Sequence, residues 1–181
     1  MKEGPIVAMT RRILVPVDFS NPSLRALDYA VEFGRTLQAE LLLLHVVEPI
    51  DYSLVGDPYG VGFDASIVYQ ELERVGREQL SRLAARLRAR RVAVRTLLGV
   101  GPAHRVIVDT ARKQRADVVI MSTHGRTGLP HLVMGSVAER VVRNAACPVL
   151  TVRGHTGGVR ARPQRRAPRR PARARRSPHR S

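Results

Sequence analysis

Short, unbroken apolar runs alternate along the chain with longer segments whose apolar residues recur at helical spacing. The first run, "RRILVPVDFS", is rich in branched residues and has the character of a strand buried on both faces. It leads into "SNPSLRALDYAVEFGRTL", where Asn21 can cap a helix, Pro22 can take its first position, and Leu24, Leu27, Val31 and Leu37 mark the inner stripe. "AELLLLHVVEP" is a second buried strand, ended by Pro49. Residues 51–63 mix glycine, proline and aromatics without periodicity, which predicts a loop long enough to be of functional interest. From Asp64 to about Arg90 a long amphipathic helix is predicted, with Leu72, Val75, Leu83 and Leu87 on one face and many arginines on the other, a solvated surface.

The second half repeats the alternation. "VAVRTLLG" is a third strand, "PAHRVIVDTARKQ" a helix opened by Pro102, "ADVVIMST" a fourth strand, "SVAERVVRNAA" a helix and "CPVLTVR" a fifth strand. Strands that alternate with helices call for a parallel α/β sheet covered on both faces, because right-handed crossovers place the helices there. In an open, doubly wound sheet of this kind a ligand sits beyond the carboxyl ends of the strands, where the winding reverses. Asp18 and "STHG" end the first and fourth strands and fall at that place.

Composition narrows the class. A chain of 181 residues suits one domain with a real core. The net charge of +16 is unevenly spread: residues 154–181 contain ten Arg and no acid, which leaves about +6 for residues 1–153. Only Lys2 and Lys113 are lysines, so nearly every cation is a guanidinium fork. The single cysteine, Cys147, excludes an internal disulfide framework and fits a reducing compartment. No apolar stretch approaches the ~18 residues of a membrane span, and the N-terminus lacks a secretory signal, so a cytoplasmic location is expected. Residues 1–10 form an extension, or translation starts at Met9. The Arg- and Pro-rich tail, residues 154–181, is expected to be disordered, either a solvated extension or a non-specific binder of nucleic acid or an anionic surface. It has no interleaved aromatics for base stacking.

The segment "MSTHGRTGLPHLVMGS" carries the candidate chemistry. A phosphate needs backbone N–H groups, close main-chain approach and the positive end of a helix dipole. Gly125 follows the fourth strand and Gly135 precedes Ser136, where a helix begins, so one loop offers all three. A second reading stands beside it: "SVAE", Ser136 to Glu139, has the form of a capping box, and the serine cap alone is worth on the order of 1 kcal/mol.

Residues 11–153 resemble the universal stress protein family, specifically in "ILVPVDFS", "LLLLHVVEP" and "MSTHGRTGLPHLVMGSVAERVVRNAACPVLTVR". The resemblance implies an adenine nucleotide alpha hydrolase-like fold, an open doubly wound five-stranded parallel sheet in the order 3-2-1-4-5. The ATP-binding branch of that family carries Gly-x2-Gly-x9-Gly-[Ser/Thr], and Gly125, Gly135 and Ser136 match its latter part while Ser122 replaces its first glycine. Were that backbone left-handed or flush against a phosphate or ribose, a serine Cβ would cost on the order of 1 kcal/mol or block the approach; in β geometry it adds a hydroxyl beside the ligand.

The resemblance further implies ATP, with Mg²⁺, as cofactor. Asp18 would lie near the adenosine, or else cap the first helix; Pro16, Leu41 and Met121 would line the adenine pocket, or else be core; and His124 would stand beside the triphosphate, or else be a turn histidine. Val137 and Ala138 would offer backbone amides. His45 reads as a satisfied core histidine. No Walker lysine follows Gly135 and "HGRTG" lacks a nucleotidyl transferase's His-x-Gly-His, so regulatory binding with at most slow hydrolysis is expected. A homodimer through the last strand is expected, and a nucleotide-free dimeric adaptor is the alternative.

Overall fold

The computed structural model describes residues 10–48, 65–123 and 134–153. Five strands, β1 (Arg12–Pro16), β2 (Glu40–Val47), β3 (Val94–Val100), β4 (Val118–Ser122) and β5 (Val149–Val152), pair in parallel in the order β3-β2-β1-β4-β5. Leu14 in the central strand stands between Leu42 and Val119, and all three are fully buried. Continuous apolar runs are what such strands require, since both faces are covered.

Four helices cover them: α1 (Asn21–Leu37), α2 (Ala65–Ala89), α3 (Ala103–Lys113) and α4 (Ser136–Asn144). The pleat sends Ile13, Val15, Leu41, Leu43 and Ile120 to one face, where Ala26, Ala30 and Val31 of α1 and Leu80 and Leu87 of α2 close the core. Leu14, Leu42, Leu44 and Val119 point the other way, against Ile107 and Ala111 of α3 and Ala138 and Val141 of α4. The winding therefore reverses between β1 and β4. Among the described residues no helix is long and apolar enough to cross a membrane.

The outer face of α2 carries Glu–Arg pairs three or four residues apart: Arg74 with Glu71 at 2.7 Å, Arg77 with Glu73 at 2.9 Å and Arg82 with Glu78. The face is solvated, as the sequence predicts, and its charges compensate one another in the structure. Residues 49–64, which include Pro49 and the whole predicted loop, lie outside the described residues.

Two helix starts differ from the sequence expectation by one residue. Ser20, not Asn21, caps α1: its backbone is extended and its side chain accepts from the Ser23 N–H at 3.4 Å. The cause lies just upstream, where Phe19 adopts a left-handed φ of 63° and the Asp18 carboxylate accepts the Ser20 N–H at 3.0 Å. The chain turns there, and Asn21 is already helical. At α4 the cap is Gly135, with φ −70° and ψ 150°, and Ser136 is the first helical residue. The capping box therefore does not form: the Ser136 hydroxyl comes one residue too late to serve as cap, and Glu139 pairs with Arg143 at 2.8 Å instead.

Candidate functional site

The carboxyl ends of β1, β2 and β4 and the first turn of α4 border a cavity of about 750 Å³, within the range that holds a small organic ligand. It opens at the point where the winding reverses. The parallel sheet forces this placement, because every strand delivers its chain to the same edge before a helix begins.

Asp18 stands at the mouth, two residues beyond the end of β1. The strand is prolonged to it by the Val17 N–H, which donates to Leu44 O at 2.8 Å. His45 fixes the same segment from β2: Nδ1 lies 2.8 Å from Val17 O, and the imidazole meets the Phe19 ring at 4.6 Å between centroids. Held by Val17 O, the ring is bonded as expected of a core histidine, yet it also lines the cavity. A carbonyl acceptor requires Nδ1 to donate. Asp18 thus has a structural task in the turn, through Ser20, and a place on the cavity wall at once.

The α4 end is the electropositive side. The N-termini of two other helices are closed by side chains: Ser20 serves α1, and Glu48, at the end of β2, accepts the Ala103 N–H of α3 at 2.9 Å. Gly135 has no side-chain oxygen to give. Its own N–H donates to Thr123 O at 2.7 Å, and its carbonyl takes the first helical bond, from Glu139, at 3.0 Å. Among the described residues nothing accepts the N–H groups of Ser136, Val137 and Ala138, the orphan donors of a helix start. All three residues line the cavity, so a helix dipole and unclaimed amides face it together.

Ser122 is the last residue of β4. It pairs with Val152 in the sheet and is not among the residues of positive φ, so its backbone is β and the glycine of the family pattern has no conformational reason to be required there. Its side chain is buried at the cavity wall, next to Thr123, which is 4% exposed.

Of the residues singled out from sequence, Pro16, Asp18, Met121, Ser122, Gly135, Ser136, Val137 and Ala138 come together around this cavity. Leu41 does not. It lies near the start of β2, opposite Ile13, is fully buried in the α1–α2 core, and is well short of the carboxyl edge where Leu44 to Glu48 reach the cavity. A strand moves about 3.3 Å per residue, so a position three residues too early is a whole layer away. His124 and Gly125 lie outside the described residues. Val46 and Glu48 line the cavity without having been anticipated, and Thr123, part of the "STHG" strand end, lines it without having been singled out. For Val46 and Thr123 the signal is simply proximity to a strand's carboxyl end; Glu48 has the same signal, masked by its fit as a turn residue before Pro49. Among the described residues no three His, Cys, Asp or Glu side chains gather as a metal-holding group.

Known proteins point the same way. Residues 9–153 match the model of the universal stress protein family. The chain is 34% identical over 143 residues to universal stress protein MJ0531 of Methanocaldococcus jannaschii, covering 79% of this chain and 82% of that one. The solved structure of MJ0577, from the same organism, superposes with a TM-score of 0.71 at 28% identity, over 82% of this chain and 99% of its own. Two further solved structures share the fold: a universal stress protein in complex with cAMP, at 21% identity and TM-score 0.56 over 80% of this chain and 97% of its own, and the Arabidopsis thaliana protein At3g01520 with AMP bound, at 20% and 0.55 over 81% and 93%. With its sheet order, its site at the β1/β4 reversal and a matched span that runs through every strand, this chain belongs to the universal stress protein family.

Proposed function

We propose that the cavity binds an adenine nucleotide, ATP with Mg²⁺, as a regulatory ligand of a stress-response module, with little or no hydrolysis. The carrying observation is the start of α4: three amides without acceptors among the described residues, at the positive end of a helix dipole, bordering a cavity of suitable size. Asp18, also on the cavity wall, suits a ribose or base edge, being an acceptor held in place by the Ser20 turn. The AMP and cAMP complexes of proteins with the same fold are consistent with this reading. The β geometry of Ser122 is compatible with this reading, since no left-handed backbone there calls for glycine. Slow or absent turnover follows from the chemistry at hand: Asp18 and Glu48 are the described acids on the wall, one bonded to Ser20 and the other to the α3 start, and neither is left as a dedicated base.

Pairing through the outer edge of β5, which has no further strand beside it among the described residues, would complete a homodimer, since an unpaired strand edge invites a partner. Isothermal titration of the full chain with ATP, AMP and inorganic triphosphate tests the nucleotide reading. Saturable binding of ATP is expected, with affinity lowered at least tenfold by Gly135→Val, which crowds the approach to the α4 amides, while the melting temperature stays close to that of the parent. Absence of heat with all three ligands, at protein concentrations that detect micromolar affinity, overturns it.

A further inference from the structure

The opposite edge of the sheet, where the strands begin and the helices end, is a concentration of guanidinium groups that the nucleotide reading does not use. Arg11 and Arg12 occupy its centre. Their backbone amides both donate to Asp117 Oδ2 at 2.8 Å, and the Arg12 guanidinium donates to Gln114 O at 2.9 Å. On the α1–α2 side, Arg35 reaches across to Arg90 O at 3.0 Å, which brings Arg35, Arg90 and Arg91 together. On the α3 side, Arg112, Lys113 and Arg115 continue the patch. All eight basic residues are exposed.

The contrast with the outer face of α2 is sharp. There each of Arg74, Arg77 and Arg82 has a glutamate. No ion pair joins any of these eight cations to an acid among the described residues; Asp117 spends one carboxylate oxygen on backbone amides, and Glu40 faces Arg95 at 3.6 Å. Helix C-termini favour cations, but that effect is confined to the last turn and does not need several per helix.

Backbone conformation supplies a second observation. α2 and α3 leave the helix through Arg91, with φ 58°, and Arg115, with φ 51°. Both ends are built alike: the Arg91 N–H donates to Arg88 O and the Val92 N–H to Leu87 O, and the Arg115 N–H donates to Arg112 O and the Ala116 N–H to Ala111 O. Such a turn has its lowest conformational cost with glycine at the left-handed position. The turn itself does not call for a cation, since α1 ends in the same way on the uncharged Gln38, φ 53°.

We propose that this edge is a docking surface for the phosphate backbone of double-stranded nucleic acid. The side chains favour that partner over others. Guanidinium forks match phosphate oxygens. The segments that build the patch, residues 35–40, 88–94 and 112–117, contain no aromatic residue for stacking unpaired bases. None of the exposed large apolar residues lies in them either, so there is no group to enter a bilayer. The surface reads charge and not sequence, and it lies at the opposite end of the strands from the cavity.

The test uses the full chain and a fluorescent 20-base-pair duplex of mixed sequence, titrated at several salt concentrations. The variant Arg91→Gly/Arg115→Gly removes two charges while easing two backbones. It is expected to melt no lower than the parent, to bind the duplex several-fold more weakly at low salt, and to lower the slope of log K against log salt by about 0.9 for each phosphate no longer neutralised. Adding Arg90→Gln and Arg112→Gln is expected to extend both losses. Unchanged affinity and slope in the fourfold variant overturns the proposal, as does duplex binding that disappears wholly when the ten arginines of residues 154–181 are changed to glutamine. Preference for vesicles of anionic lipid over the duplex, lost in the fourfold variant, would assign the surface to membranes and equally overturn it.

Discussion

The two edges of one sheet carry opposite chemistry. At the carboxyl edge the chain supplies acids, Asp18 and Glu48, and helix starts whose N–H groups point outward; at the amino edge it supplies helix ends and arginines without acidic partners among the described residues. A parallel sheet thus polarises a molecule before any side chain is chosen, because all strands run one way and all covering helices the other. Side chains then act on that asymmetry. Ser20 and Glu48 close two of the helix starts, whereas no described side chain caps that of α4. At the other edge, arginines collect beyond the number that helix dipoles explain.

The largest effect is expected from breaking what the two edges share. Leu43 is fully buried in the central sheet, and Leu43→Ala should remove about 3 kcal/mol of stability and lower the melting temperature by about 10 °C in a thermal scan. Nucleotide and duplex binding should then fail together as temperature rises and persist together in the cold. A loss confined to one edge would show that the edges are not supported by a common core.

A selective break is next. Asp18→Ala removes the acceptor for the Ser20 N–H and hydroxyl and a polar group of the cavity wall. Nucleotide affinity should fall about tenfold, stability by about 1 kcal/mol, and duplex binding not at all. Calorimetry of the variant with ATP, beside the duplex titration, reads the three quantities. Equal losses at both edges would dissolve the distinction between them.

The smallest effect belongs to Cys147, beside the amino edge. Burial, with a further contribution from the charge of Asp117, raises its thiol pKa. The folded state therefore holds the proton more tightly than the unfolded chain does. Its contribution to stability is full below the ordinary thiol range and is lost as pH rises through the folded value. Denaturation midpoints of the parent should decline across that alkaline window more steeply than those of Cys147→Ala, and identical slopes would remove the assignment.

Range along the chain separates what could be read from sequence from what could not. The alternation of unbroken apolar runs with helical stripes determined the parallel sheet and its two covered faces, because a strand buried on both sides has no other composition available to it. The same logic placed Asp18 within two residues of its strand's end and Ser136 within one of its helix cap. Resemblance added the strand order. Three-dimensional packing was needed for whatever depends on a residue's exact height or turn. Leu41 and Val46 look equivalent in "LLLLHVV", yet only the latter reaches the cavity. Ser20 displaces Asn21 as cap because Phe19 turns left-handed, and Gly135 displaces Ser136 because Thr123 O anchors its amide. The arginine-rich amino edge was likewise invisible along the chain, where Arg11, Arg35, Arg90 and Arg115 stand far apart; it is the common direction of the strands that brings them to one surface.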